Sequence, residues 1–334
     1  MNDSRGWAMN RRRFLQCSGA VVMSSALAGR VPAGAAHPNG HAIGIQLYTM
    51  LAPLVHDFKG TLTALGRIGY RKAEVVGLLG HDAGTFRRVL DAAGLSVPSA
   101  HILSNAAQEL FLGMASGKIS SSEAWPKIDA AMDLARIEPI MEEMFTQTDV
   151  LGNEYLVLAA VDSALFESRA GIDRVVAAFT KAGDMCHRRG LKFAFHPHLA
   201  EFNRVDGATA VDRILDATDP QRVLVELDFF WAAMANVDVP HLLERHSGRF
   251  HLGHVKDMAK GVVVPAEGFK DLNAIPSDAF EDIGHGQLDY RAWIPLARKA
   301  GMKHFFVERD EAPDPVENAR RSYASLRPLF SRDR

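Results

Sequence analysis

Four short apolar runs in the second half of the chain each end in imidazole or carboxylate side chains. They are Phe195-His196-Pro197-His198, Val225-Glu226-Leu227-Asp228, His251-Leu252-Gly253-His254-Val255-Lys256-Asp257 and Phe306-Val307-Glu308. Each reads as a buried strand that places a metal-ligating or proton-transferring group where it stops. Residues two apart share one face of a strand, which pairs His196 with His198, Glu226 with Asp228, His254 with Lys256, and Glu308 with Asp310. If that parity points inward, each strand offers groups at two successive depths. One or two imidazoles with two or three carboxylates suit Mn²⁺ best, and also Co²⁺, Mg²⁺ or Zn²⁺. Open positions on such an ion would accept adjacent hydroxyl and carbonyl oxygens.

Residues this far apart in sequence need a scaffold that gathers strand ends. After residue 41, strand-like and helix-like segments alternate. The strands are expected at 43–48, 72–76, 96–102, 155–160, 193–196, 223–227, 250–255 and 304–307. Helices between them stop at Gly69, Gly94, Gly190, Gly248 and Gly301, where a residue without a Cβ ends a helix readily. One long helix is expected over 122–145. Alternation requires parallel pairing under covering helices, and eight units at this length favour a closed (β/α)8 TIM barrel as one domain over 41–330. An open dinucleotide-binding sheet lacks support, because no G-x-G-x-x-G follows the first strand. Neither G-x-S-x-G, a P-loop nor H-E-x-x-H is present. The stretch 259–286 follows the seventh strand and should lie over the mouth as a lid or wall.

The chain has 334 residues, 47% of them hydrophobic, which supports a substantial core. Residues 1–36 differ from the rest. Asn10-Arg11-Arg12-Arg13-Phe14-Leu15-Gln16 precedes a mildly apolar run, and an A-x-A site surrounds Ala33-Gly34-Ala35. This is the anatomy of an export signal, and Arg-Arg-x-Phe-Leu resembles the twin-arginine type. A disordered basic tail is the plainer alternative. The expectation is a periplasmic or secreted protein carried by the twin-arginine translocon. Removing five arginines against one aspartate makes an already slightly acidic chain more so, giving no electrostatic reason for nucleic acid or anionic membrane as partner. No apolar run is long enough for a membrane anchor. Cys186 would be the one cysteine left, so an intramolecular disulfide is excluded.

Together these motifs resemble the sugar-phosphate isomerase/epimerase superfamily, the xylose-isomerase-like barrels. That group includes ketose epimerases, inosose isomerases and dehydratases, and 3-keto-glycoside lyases. The resemblance covers 43–330 and rests on Gly44-Ile45-Gln46-Leu47-Tyr48, Phe195-His196-Pro197-His198 with Glu201-Phe202, and Glu226-Leu227-Asp228-Phe229-Phe230-Trp231. His254-Val255-Lys256-Asp257, Gly284-His285-Gly286 and Val307-Glu308-Arg309-Asp310 complete it. It implies metal ligation by Asp228, His254 and Glu308. The first ligand is usually Glu; here His196 holds the place, with Glu201 as rival. A His variant looks closer to the dehydratase and keto-sugar lyase branches, since epimerases use that Glu as one of two catalytic carboxylates.

The implied activity is divalent-metal-dependent isomerisation or epimerisation of an unphosphorylated sugar or keto sugar through an enediolate. A 3-keto-glycoside lyase or polyol dehydratase, or a non-catalytic sugar-binding accessory subunit, are the alternatives. Glu308 or Glu201 would remove the proton. His198 would act as general acid, because an ordinary histidine titrates near the working range. Lys256 would neutralise an oxyanion or protonate a leaving group, or else pair with Asp257 or Glu226. Gln46, His101, Trp231 and Asp257 would face the small-molecule carbohydrate. Plainer roles are expected for Glu226 as a structural acid paired with Lys or Arg, Glu74 as a solvated or ion-paired acid, and His251 and His304 as packing or surface residues. Asp228 could equally cap the following helix.

Overall fold

Short β-rich segments separated by helices can pair only in parallel, and right-handed crossovers close them into a ring. In the computed structural model, which describes residues 42–276 and 278–331, eight strands form that ring. They are β1 (Gly44–Gln46), β2 (Lys72–Val75), β3 (Ser96–His101), β4 (Tyr155–Leu158), β5 (Lys192–Phe195), β6 (Val223–Asp228), β7 (Phe250–Val255) and β8 (His304–Val307). Each pairs with its sequence neighbours, and β1 closes on β8 with Gly44 opposite Phe306. This is the expected single-domain (β/α)8 barrel. The segment read as an export signal lies outside the described residues.

Alternation along each strand divides the barrel into an outer and an inner lining. Ile45, Ala73, Ala100, Leu156, Phe193, Val225, Val255 and Phe305 point outward and pack against the helices as the main core. The opposite parity builds a second, smaller apolar cluster inside the ring from Tyr155, Val157, Ala194, Leu224, Leu252 and Phe306. Two residues further along the strands the inner lining becomes polar, with Gln46, Glu74, His101, His196, Glu226, His254 and Glu308. The barrel is therefore a plugged cylinder with charged groups at the C-terminal mouth. Gly44 makes the plug possible: a Cβ there would lie 2.4 Å from Phe306 Cδ1.

The helices start where side chains can take up their free amide groups. Asp57, Asp82, Ser104, Ser168, Asp238, Asp289 and Asp314 each accept a backbone N–H at a helix N-terminus. Two expectations differ from the structure. The long helix at 122–145 is two helices, Ser121–Ala131 and Ile137–Leu151. Asp133 breaks it by accepting the Ala135 N–H and starting a short 3-10 turn. A further helix, Asn105–Ala115, capped by Ser104, was not anticipated. The expected lid at 259–286 is largely irregular, with Asp257–Met258 paired to Phe280–Glu281 at its base.

At the opposite end, the floor of the barrel holds a second polar group. Tyr155 Oη lies 3.1 Å from His251 Nδ1, and the His304 ring packs edge-on against Tyr155. Burial, then Lys72, holds His304 down at about 3, and burial, then Lys303, holds His251 at about 4. Both lie below the ordinary histidine value, so unfolded chains bind protons that the native floor refuses. Stability should thus fall as pH drops from about 6.5 toward 3. Urea midpoints measured between pH 7 and 4 should decline less steeply in a His251→Asn/His304→Asn variant than in wild type; equal slopes would contradict the assignment. Gly44→Ala should cost about 1–3 kcal/mol by overpacking the Phe306 ring, read as a lower thermal midpoint.

Candidate metal centre at the barrel mouth

β6, β7 and β8 are adjacent and in register, with Asp228 opposite His254 and His254 opposite Phe306. Their ends bring Asp228, His254 and Glu308 together, one donor atom from each lying within 4.8 Å of the others. His254 Nδ1 is 2.6 Å from Glu308 Oε2 and 3.9 Å from Asp228 Oδ2. His196, just past β5, has its Nε2 3.6 Å from Asp228 Oδ2, although it falls in the deeper donor group rather than within 4.8 Å of all three. Asp228 divides its duties: Oδ1 accepts the N–H groups of Phe230 and Trp231 at 2.8 and 3.1 Å, capping helix Phe229–Met234, while Oδ2 faces the cluster. The capping reading and the ligand reading are thus compatible in one side chain.

These residues fit a divalent ion. Asp228 Oδ2 and His254 Nδ1 are buried without an aligned hydrogen bond, their neighbours being the Lys256 ammonium at 3.0 Å and Glu308 Oε2 at 2.6 Å, and both atoms are of ligand type. His196, Asp228, His254 and Glu308 would hold it, with two imidazole nitrogens and two carboxylates.

Beneath this tier lies a second one. Glu226 Oε2 is 3.0 Å from His196 Nδ1, 3.1 Å from His254 Nε2 and 3.2 Å from His101 Nε2. Glu74 Oε2 is 2.6 Å from His254 Nε2 and accepts Gln46 Nε2 at 2.8 Å, while Ser99 Oγ donates to its other oxygen. His101, His196, Glu226 and His254 also place one donor atom each within 4.8 Å. His254 belongs to both tiers, with one ring nitrogen turned to each.

Above the cluster sits the one lysine of the site. Lys256 Nζ lies 3.0 Å from Asp228 Oδ2, 2.9 Å from Glu308 Oε2 and 3.0 Å from Asp310 Oδ1. Its ammonium is also 5.2 Å from the centre of the Trp231 ring. Burial alone would lower its pKa, but Asp228 and Asp310 outweigh that and keep it charged. Burial would raise Glu308, but Lys256 and His254 hold it well below the usual carboxylate range. Asp310 is pushed up to about 7 by burial, against the pull of Lys256. His101 is raised to about 9, because Glu74 and Glu226 overcome its burial.

Several expectations need correction. Asp257 does not face a substrate: its oxygens accept the N–H groups of Met258, Leu288, Gly284 and Gly286 at 2.8, 3.1, 2.9 and 3.1 Å. It is the post around which the 284–288 turn is wound. Glu201 turns back to accept the His198 N–H at 3.0 Å and enters neither donor group among the described residues. Burial raises it to about 7. Burial, then Lys256, pushes His198 down to about 3, which favours its neutral form over the acid. Lys256 pairs with Asp228, Glu308 and Asp310 rather than with Asp257 or Glu226. Glu226 pairs with histidines rather than with Lys or Arg, and Glu74 is fully buried among them.

Gln46 and His101 lie in the lower tier. Trp231 packs against His198 and Phe280 with its buried Nε1 meeting no protein acceptor. Sequence reasoning placed Asp310 beside Glu308 and allowed Glu74 an ion pair, which it makes with His254 and His101, but gave neither a site role and missed Tyr48, whose hydroxyl is raised by burial and then by Asp310. The signal was available, since Asp310 and Tyr48 lie two residues beyond Glu308 and Gln46 on the inward face, and Glu74 lies opposite Gln46.

Fold and site together define a (β/α)8 barrel with imidazole and carboxylate donors converging at its C-terminal mouth. Residues 63–329 match the family of the Xylose isomerase-like TIM barrel, and the chain belongs to it. An inosose dehydratase of Geobacillus thermodenitrificans (strain NG80-2) is 24% identical over 148 residues, 44% of this chain and 49% of that protein, so the match spans about half of the relative. A sugar phosphate isomerase/epimerase from Parabacteroides distasonis ATCC 8503 superposes with a TM-score of 0.65 at 20% identity, covering 90% of this chain and 100% of that one. The IolI protein, solved with a zinc atom, gives a TM-score of 0.60 at 13% identity over 87% of this chain and 98% of its own. These structural likenesses show the fold.

The divided duty of Asp228 yields a test. Asp228→Asn keeps an oxygen for the cap but loses the anionic Oδ2, so it should fold with near wild-type stability and retain little divalent metal by mass spectrometry. Asp228→Ala should lose both, melting lower by the equivalent of about 1 kcal/mol. Wild-type metal content in both variants would remove Asp228 from the ligand set.

Proposed function

We propose that the chain is a divalent-metal-dependent enzyme that removes a proton next to the carbonyl of an unphosphorylated keto sugar or cyclic polyol ketone. We propose further that it completes the reaction by losing a β-oxygen substituent, as a dehydratase or keto-glycoside lyase does. The observation that carries the second step is the donor set. A neutral imidazole, His196, stands where a second catalytic carboxylate would serve a two-base epimerisation, and Glu201 is turned away from the cluster. The named activity of the inosose dehydratase relative supports the same branch. Mn²⁺ suits the mixed donors, with Co²⁺, Mg²⁺ and Zn²⁺ as alternatives.

When bound, the ion supplies Lewis-acid polarisation of the substrate carbonyl. The chain's own groups do the rest. Glu308, held ionised by Lys256 and His254, takes the α-proton. Lys256 offsets the negative charge that then grows on the substrate oxygen, and it does so from a buried position where its field is little screened. Asp310, at about 7 and 3.0 Å from Lys256, donates a proton to the departing oxygen. The products are an unsaturated ketone and water or an alcohol. Trp231 offers a flat wall and an unmet N–H to a sugar ring. Export by the twin-arginine route belongs to the same proposal and rests on Arg11-Arg12-Arg13-Phe14-Leu15 alone.

The deciding experiment incubates the metal-loaded protein with inososes, free ketoses and 3-keto glycosides in D₂O. Elimination products or deuterium at the α-carbon are expected, with Lys256→Met slowing turnover about 10²–10³-fold. A protein that binds these sugars but never exchanges the proton would be a sugar-binding subunit instead. Exchange with an epimeric product and no elimination would place it with the epimerases.

A further inference from the structure

We infer that Glu226 decides which ring nitrogen of His196 faces the ion, and is therefore a positioning residue for the ligand set. The inference rests on the metal-binding reading above and assigns a task to a residue that reading does not use. A neutral imidazole carries one ring proton, and the nitrogen that keeps it cannot ligate. His196 Nδ1 lies 3.0 Å from Glu226 Oε2, and Glu226 is its acceptor among the described residues. Burial and then Glu74 raise the Glu226 pKa while His254 and His101 lower it; when ionised it can only accept, which puts the ring proton on Nδ1. The lone pair of Nε2 is left facing Asp228 Oδ2 at 3.6 Å, too long for a hydrogen bond. A divalent ion would join this nitrogen and this oxygen, the oxygen being met otherwise by the Lys256 ammonium at 3.0 Å.

β6 places Glu226 for this purpose. It shares a face with Asp228 and lies one step deeper, so the two carboxylates reach opposite nitrogens of one imidazole. The same Oε2 meets His254 Nε2 at 3.1 Å, but there Glu74 is a second and closer acceptor at 2.6 Å. His254 keeps its orientation without Glu226, whereas His196 does not. Metal-ligating histidines are commonly fixed by a carboxylate on the far nitrogen, and losing that partner typically weakens metal binding about 10–100-fold.

Glu226→Gln is the test, since glutamine keeps the size and can turn an amide N–H toward Nδ1, driving the ring proton to Nε2. Long-range ¹H–¹⁵N NMR of histidine-labelled, metal-free protein should show His196 with its proton on Nδ1 in wild type, the signal being assigned by its loss in His196→Gln. In Glu226→Gln it should move to Nε2, and affinity for Co²⁺ by chelator competition should fall about 10–100-fold. A purely structural glutamate would leave the tautomer unmoved. Wild-type His196 protonated on Nε2 overturns the inference, even if the variant fails to fold. So does wild-type Co²⁺ affinity in Glu226→Gln alongside loss of affinity in Asp228→Asn. Unchanged Co²⁺ affinity in both variants instead brings down the metal-binding reading itself.

Discussion

Carboxylates buried at the barrel mouth are the constraint on which the rest of the molecule depends. Glu74, Glu226 and Asp228 have no solvent exposure and Glu308 is 6% exposed. An ionised carboxylate taken out of water costs several kcal/mol unless positive charge and hydrogen bonds meet it. The chain answers in two layers. His101 and His254 sit between Glu74 and Glu226 in the lower tier, and Lys256 sits among Asp228, Glu308 and Asp310 in the upper one. His254 is shared, and Glu226, Glu308 and Glu74 hold its pKa well above the ordinary value against the effect of burial. A donor set this negative at its centre is stable around cations and unstable without them.

The fold meets that constraint by making single residues serve both scaffold and site. Asp228 caps a helix with one oxygen and offers the other to the cluster. Asp257 takes four backbone amides and thereby ties the 284–288 turn to the end of β7. Arg309, between Glu308 and Asp310, bonds Asp282 at 2.5 Å and the Phe280 carbonyl at 3.0 Å, anchoring the lid segment to the end of β8. Phe280 in turn stacks on Phe230 at 4.6 Å, directly beside Trp231. The wall over the mouth and the residues beneath it are thus held by the same few strand ends. The geometry of the donors depends on the packing of the lid as much as on the barrel.

What was legible in the sequence follows from local rules. Period-two alternation and glycine stops are read over a few residues, so the eight strands and the inward parity of His196, Asp228, His254 and Glu308 could be seen without coordinates. What was missed depended on distant partners. Glu226 looked like a structural acid because nothing in its own strand shows that three histidines converge on it. His198 looked like an acid because its neighbours in sequence do not reveal the burial that holds it neutral. Asp257 looked like a substrate contact because three of the four amides that saturate it come from Gly284, Gly286 and Leu288, far downstream. The split of the expected helix at Asp133 was local, but a single side chain bonding its own backbone is a weak signal within a helical pattern.

The exchange of an acid for an imidazole at the first ligand position has consequences beyond metal choice. Were His196 to ligate in place of a carboxylate, the donors around an ion would carry one negative charge fewer, and Lys256 adds a positive charge within 3.0 Å of two of the remaining acids. Such a site stabilises an enolate oxygen strongly, because less of the local positive field is cancelled by ligands. On the proposed reading Glu308 would be its carboxylate base, and a proton taken from one face would have no equivalent partner to return it on the other. An enolate stabilised in this way, with Asp310 as the proposed acid, would proceed most readily by expelling a β-oxygen as that acid protonates it. Under the proposed reading, the electrostatics of that one position would favour elimination over epimerisation on an otherwise shared scaffold.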